Sequence, residues 1–312
     1  MDRVVSLGSV NVDHVRRASD PELASLVERY DWFPAQGHTV RVETLPDEFD
    51  PDTDERRHGG KGANQAVAAA AAGAATTMLG VVGTDHDRFG VRPALADAGV
   101  DADRIGVADV PTGAAYVFVD PRGDNRIVVD PGANAAVDDA YVEAHYDIVR
   151  DADCLLLQNE ISIGPVAALL DDLAAESARP TVIVDPAPPA GVDPLLDREA
   201  VDYLTPNEGE YAALADALDT YGGVVVRKRG GDPVIVVADD DRFTVEPPAV
   251  DPVDTTGAGD VFNGFLAARL AAGASLRDAV ETAVVAGSMA TRTAGAREGI
   301  PTLDEVRAFR AK

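Results

Sequence analysis

Lysine is nearly missing from this chain. Lys61, Lys228 and Lys312 are its only examples, and arginine carries the remaining positive charge. Basic residues are outnumbered 27 to 54 by acidic ones in 312 residues, giving a net charge of −27 and a pI near 4.3. That balance excludes the basic face a nucleic-acid partner requires. The acidic residues are spread along the chain rather than gathered in a tail. With so little lysine, this reads as adaptation to a very salty cytoplasm more readily than as a generic solubility surface. Cysteine occurs once, as Cys154 in the apolar run Cys154–Leu157. Neither a disulfide framework nor a cysteine-ligated metal site can form within one chain, and a buried thiol is expected. Histidines at 14, 38, 58, 86 and 145 show no ligand spacing, so no tightly bound transition metal is expected. No apolar stretch reaches membrane-spanning length. The alanine-rich run Ala66–Ala75, bounded by Gly62 and Gly73, reads instead as a close-packed internal helix. Met1–Val5 has no signal-peptide pattern. A soluble, cytoplasmic protein is expected, without a membrane or nucleic-acid partner.

The length suits one large α/β domain with a substantial core. Short Val/Leu/Ile-rich segments alternate with longer Ala/Leu helical patterns, which argues for a mostly parallel sheet covered on both faces. The strands are expected at Val4–Val10, Thr76–Val82, Cys154–Gln158, Thr181–Asp185, Tyr203–Thr205 and Val224–Lys228. The helices are expected at Gly62–Ala72, Arg88–Ala98, Asp138–Val149, Pro165–Glu176, Ala258–Ala272 and Leu276–Ala290. Pro233–Val245 reads as a hairpin turning at Asp239–Asp241. Val40–Leu45 and Ala114–Val129, the latter turning at Pro121–Asp124, alternate apolar and polar residues and read as antiparallel strands with one face open to solvent. The region from His14 to His58 carries an amphipathic piece, Pro21–Tyr30, and an acidic segment, Pro46–Arg57. These read as a surface elaboration or as something that changes substrate choice or subunit contact. No repeat or long linker divides 1–312.

The segment carrying most chemistry is Asp254–Gly264, with the sequence DTTGAGDVFNG. Gly257 and Gly259 let successive N–H groups converge, and the apolar spacing that follows makes this a helix start, a place that stabilises phosphate oxygens. Asp260, in the first turn, is either a structural cap or a general base for a hydroxyl attacking a phosphoryl group. The amides of Gly257, Ala258 and Gly259 would stabilise the charge that develops. Gly59-Gly60-Lys61-Gly62-Ala63-Asn64 is neither a Walker A loop nor a dinucleotide fingerprint. It also opens a helix, so its N–H groups and Lys61 point at a ligand or form a solvated turn. Asn11 and Asp13 follow the first strand at the sheet edge where ligands bind. Alternation puts both on one face, where they either end a strand or serve as polyol donor and acceptor. Glu160 is likewise a loop acid or a hydroxyl acceptor. Asn207 and Glu210 form a capping box.

In this order the motifs resemble the PfkB-type carbohydrate kinases: Gly8–Asp13, Gly59–Gln65, Gly132–Ala135, Gln158–Glu160, Asp185–Pro188, Thr205–Glu208 and Asp254–Gly264. The resemblance covers Leu7 to Pro301. It implies a ribokinase-like three-layer α/β/α sandwich with a mostly parallel central sheet. A small β lid over the sugar would draw on residues about 14–58 and 113–130, and two lids would pair in a homodimer. It further implies that the γ-phosphate of Mg²⁺–ATP passes to a sugar hydroxyl, D-ribose at its 5-hydroxyl being the leading case. A nucleoside, ribose-phosphate, ketohexose or keto-deoxy-sugar kinase is the alternative, and a catalytically silent sugar binder a further one.

By the same resemblance Asn11, Asp13, Gly60, Lys61, Gly62, Asn64 and Glu160 hold the acceptor. Asn207, Lys228, Gly230 and Gly259 meet the nucleotide, and Glu210 shapes the Mg²⁺ environment. Asp254, Thr256, Ala290, Thr293 and Gly295 would take K⁺ or another monovalent cation. Two departures stand out. Lys228 replaces a threonine in the nucleotide turn, with Pro233 where a glycine is usual. Gly299 stands where a serine hydroxyl completes the cation site.

Overall fold

The structure is a computed structural model that describes residues 2–46, 48–49, 51–238 and 241–311. Its centre is a nine-stranded sheet in the order Asp241–Val245, Val234–Ala238, Val224–Arg227, Tyr203–Leu204, Thr181–Asp185, Cys154–Gln158, Arg3–Leu7, Ala75–Leu79, Val100–Asp101. From Val224–Arg227 to the Val100–Asp101 edge every neighbouring pair is parallel. The hairpin at the other edge is antiparallel; of its expected turn, Asp239 and Asp240 lie outside the described residues, and Asp241 already begins a strand.

Alternation along buried strands explains the three layers. Val5, Leu7, Leu155, Leu157, Val182 and Val184 pack to one side with Val166, Leu169, Leu170 and Leu173 of the helix Ile163–Ala174. Val4, Cys154, Leu156, Ile183 and Val226 pack to the other with Val261, Phe262, Phe265 and Leu266 of Ala258–Ala271, and with Val280 and Val284 of Leu276–Ala290. Both faces being covered, the strands read as continuous apolar runs.

The alanine-rich helix is Lys61–Ala71, and it crosses Ala258–Ala271 at very short range. A methyl group on Gly264 would lie 2.5 Å from the Gln65 carbonyl oxygen and 2.5 Å from the Ala68 Cβ. Only glycine permits that approach, and the approach is what brings the first turns of the two helices together.

A separate five-stranded sheet has the order Thr39–Arg41, Asn125–Asp130, Gly113–Val119, Asn11–Arg17, Glu55–Gly59. Several expectations change here. The first core strand stops at Leu7; Asn11 and Asp13 sit on the next strand, still on one face of it. Of the Val40–Leu45 segment only Val40 and Arg41 are strand, within Thr39–Arg41, which pairs parallel to Asn125–Asp130. Glu55–Gly59, which begins at the end of the acidic stretch and runs past it, pairs antiparallel with Asn11–Arg17. Two expected helices are broken: Gly90, at φ 64°, separates His86–Phe89 from Val91–Asp97, and His145 separates Asp139–Ala144 from Tyr146–Arg150.

The elaboration belongs to this small sheet. Helix Asp20–Arg29 begins with a Ser19–Glu22 capping box and packs Leu23 and Leu26, together with Tyr30, Trp32, Phe33 and Phe49, over Tyr116, Phe118 and Val128. Phe33 meets Phe118 edge-on at 5.2 Å and Phe49 meets Tyr116 at 5.3 Å. These rings cover the face opposite Asp13, because Tyr116 pairs with His14 and Phe118 with Arg16.

Candidate active site

Two glycines in left-handed or otherwise positive-φ backbone start the two crossing helices. Gly257, at φ 76°, precedes Ala258–Ala271, and Gly60, at φ 87°, precedes Lys61–Ala71. Neither could carry a side chain: a Cβ on Gly257 would lie 2.7 Å from the Ala296 carbonyl, and one on Gly60 would lie 2.7 Å from the Asn11 nitrogen. Asp260 is buried in the first turn after Gly257. Asn64 Nδ2 donates to its Oδ2 at 3.1 Å, and Gln65 Nε2 donates to its Oδ1 at 3.1 Å. The carboxylate is thereby fixed at the point where both helix N-termini converge.

On one side of Asp260 opens a cavity of about 700 Å³. Its lining brings together Lys61, Asn207, Glu210, Lys228, Gly230, Gly257, Ala258, Gly259 and Asp260 from the sequence reading, and adds Asp185. Lys228 Nζ donates to Asp185 Oδ1 at 3.0 Å. A Cβ on Gly259 would lie 3.4 Å from that same nitrogen, which places a half-buried cation beside the glycine turn. Burial works against the charge of Lys61, but Asp260, Asp185, Glu160 and Glu210 outweigh it and hold the ammonium above the ordinary lysine range. Helix-end N–H groups flanked by two lysines make an anion site. The Asn207–Glu210 capping box is formed, with Glu210 accepting from the Asn207 nitrogen and Nδ2 at 2.7 Å each. Burial, with Asp185 nearby, raises the Glu210 carboxyl above its usual range.

On the other side lie the residues predicted to hold the acceptor. Asn11 Oδ1 accepts from Asn134 Nδ2 at 2.7 Å. Glu160 Oε2 accepts from the Lys61 nitrogen at 3.2 Å and from the Ser9 hydroxyl. Burial pushes the Glu160 carboxyl up, with Lys61 opposing. Asp13 lies against Gly59, whose added Cβ would sit 2.2 Å from Asp13 Oδ1. Burial, reinforced by Glu160, Asp260 and Glu298 and opposed by Arg297, pushes its carboxyl up to about 7. Carboxylates and amides at this density suit a polyol, which needs donors and acceptors in pairs.

A description of carbohydrate kinases, the pfkB family, matches residues 37–303. The chain belongs to that family. Ribokinase of Bacillus subtilis is 36% identical over 294 residues, covering 90% of this chain and 94% of that protein. A bifunctional ribokinase/ribose-5-phosphate isomerase A of Fructilactobacillus sanfranciscensis is 33% identical over 98% of this chain, which spans 56% of that longer protein. Among solved structures, Arabidopsis thaliana ribokinase complexed with ribose and ATP superposes with a TM-score of 0.76 at 28% identity, covering 98% of this chain and 97% of that one.

In this pfkB kinase the loop 290–299 closes over the helix start. Asp254 joins the two loops, accepting from the Thr256 nitrogen and the Gly295 nitrogen at 2.9 Å each. Although burial opposes it, these hydrogen bonds hold the Asp254 carboxyl below its usual range. The Thr291 carbonyl accepts from the nitrogens of Val253 and Asp254. Thr293 is exposed. At Gly299 an added Cβ would stand 2.3 Å from the Ala290 carbonyl, so the loop leaves no room there for the serine of the resembled pattern.

Four residues escaped the sequence reading: Gln65, Asp185, Asn134 and Arg297. Gln65 joins Asp260 to Asp185 through one nitrogen, with 3.1 and 3.0 Å hydrogen bonds. Asn134 orients Asn11, accepting from the Val10 nitrogen at 2.9 Å. Gln65 adjoins Asn64 in a motif, and Asp185 and Asn134 each lie in one, so a signal existed. Arg297 had none, because its guanidinium bonds Asn64 and Gly59, both more than 200 positions away.

Proposed function

We propose that this pfkB kinase is an ATP-dependent ribokinase, 1–312 forming a single kinase domain that transfers the γ-phosphate of ATP to the 5-hydroxyl of D-ribose. The observation carrying this reading is the placement of Asp260 between a lysine-flanked anion cavity and a wall of amides and carboxylates. Asn11, Asp13, Gly60, Lys61, Gly62, Asn64 and Glu160 orient the sugar beneath the small sheet, which acts as a lid. Asp260 accepts the hydroxyl proton while the oxygen bonds to the γ-phosphorus and the bond to the ADP oxygen breaks. The Gly257, Ala258 and Gly259 amides hold the equatorial charge, with Asn207, Lys228 and Gly230 along the nucleotide.

Mg²⁺ arriving with ATP would neutralise phosphate charge, and Asp185 and Glu210, which line the cavity, are the carboxylates that would be available to it. A monovalent cation such as K⁺ fits the oxygen-rich junction of Asp254 and Thr256 with Ala290, Thr293 and Gly295, where the donors are hard. The acidic surface supports a salt-adapted, cytoplasmic enzyme. The lid-to-lid homodimer is not part of this reading: Leu23, Tyr30, Trp32, Phe33 and Phe49 already cover one lid face, leaving a second copy only the other face and the edges.

The test is ADP formation in molar KCl with Mg²⁺–ATP and ribose, ribose 1-phosphate, hexoses or nucleosides as acceptors, alongside Asp260→Asn. Ribose-dependent turnover, lowered roughly 10²- to 10⁴-fold in D260N, is the expected result. Turnover confined to another acceptor overturns the ribose assignment, and sugar binding without any turnover overturns the kinase assignment.

A further inference from the structure

We propose that Arg297 is a positioning residue of the acceptor site, fixing the Asn64 amide against the base and bracing the strand end that carries Asp13. The proposal rests on the ribokinase reading of the site. Arg297 Nε donates to Asn64 Oδ1 at 2.7 Å, and Nη2 donates to the Gly59 carbonyl at 2.8 Å. Guanidinium has donors only, so it holds the oxygen of Asn64 toward itself and turns the NH₂ toward Asp260, where Nδ2 donates at 3.1 Å. Without Arg297 the amide can rotate by half a turn and set its oxygen against the carboxylate.

The second arm acts on Gly59. This residue ends the strand Glu55–Gly59 and pairs with Asn11, beside Asp13↔Arg57 in the register, and its Cα lies against the Asp13 carboxylate. Pinning its carbonyl holds the acceptor wall. The guanidinium also stands among the charges of Asp13, Asp260 and Glu298, which a neutral residue would leave to repel one another.

The loop supplying Arg297 is itself anchored to the phosphate side. Gly295 donates to Asp254 Oδ2 at 2.9 Å, and the Ala296 carbonyl blocks any side chain on Gly257. One short loop therefore packs on the glycine turn with Ala296 and on the acceptor wall with Arg297. Displacement of the base by about 1 Å is enough to lose on the order of 10²-fold in rate.

The experiment is steady-state kinetics, with the acceptor that wild type turns over, on Arg297→Gln, Arg297→Lys and the exposed same-loop control Arg292→Gln, with thermal melts of each. R297Q is expected to lower kcat/KM for the acceptor on the order of 10²-fold, through both kcat and the acceptor KM, while the ATP KM stays at its wild-type value and the melt, though lowered, remains cooperative. R297K keeps the charge but not the fork, so the acceptor KM recovers in part and kcat stays low. R292Q behaves as wild type. Equal losses for ATP and acceptor, or an R297Q acceptor kcat/KM equal to wild type, overturn the proposal while leaving the kinase reading intact. Full recovery by R297K overturns the fork geometry. Should R297Q lose its cooperative melt, R297K carries the test alone. A wild type inactive with every acceptor brings down the reading and this proposal together.

Discussion

Asp13 occupies a place few carboxylates tolerate, with Glu160, Asp260 and Glu298 adding their charge to its burial and Arg297 alone opposing them. A carboxyl pushed up to about 7 in the folded protein, against about 3.9 in an unfolded chain, binds more protons folded than unfolded between those values. Its contribution to stability is therefore greatest at low pH and declines as pH rises through about 7. The Asp13→Asn protein lacks that penalty. It should melt above wild type at pH 8, with the gap closing as pH falls from 7 toward 4, while losing acceptor affinity. A gap that stays constant with pH would show that Asp13 is not held protonated. Residues of this kind were legible as polar motif members, but their electrostatic state was not. It depends on Arg297, 284 positions away by numbering (297 − 13), which no local pattern connects to Asp13.

Among the elements, those with a strong single period were legible and those defined by partners were not. Cys154–Gln158, Thr181–Asp185 and Leu276–Ala290 run as expected to the residue, because both sheet faces are covered and the helix has a regular apolar stripe. Glu55–Gly59, with the sequence ERRHG and no apolar alternation, is a strand only because Asn11–Arg17 pairs with it. The helix Leu303–Arg310 is signalled in the sequence by its Thr302–Glu305 capping box, although its short apolar pattern gives it little periodicity. The crossing of Lys61–Ala71 with Ala258–Ala271 ties structure to catalysis, since it carries Asn64 and Gln65 to Asp260. Gly264→Ala places a methyl 2.5 Å from the Gln65 carbonyl, and overpacking of this sort costs about 1–3 kcal/mol. The helices must separate, so G264A should show a lower Tm in a thermal melt and a lower kcat with near-normal ATP binding. A variant with wild-type kcat and reduced Tm would mean that the crossing serves stability alone.

At the scale of the whole molecule the insertion and the charge act in the same direction. The lid's aromatic face is closed by its own chain, with Trp32 against Phe49 at 5.3 Å and Phe49 against Phe118 at 6.3 Å, so among the described residues no large apolar patch remains there to draw in a second copy. The lid edges are the three-residue Thr39–Arg41 and the charged Glu55–Gly59, both poor templates for strand addition. A net charge of −27 adds repulsion that only concentrated salt screens, the Debye length falling to about 3 Å at 1 M. Sedimentation equilibrium should therefore return the chain mass of 32.5 kDa in molar KCl as well as in dilute buffer. Phe49→Ala opens the cover and should cost about 3–5 kcal/mol. It should shift the emission of Trp32, the single tryptophan, and let the molar-salt sample self-associate. A wild-type mass of twice the chain in molar KCl, unchanged by F49A, would show that copies meet elsewhere and that the insertion does not govern assembly.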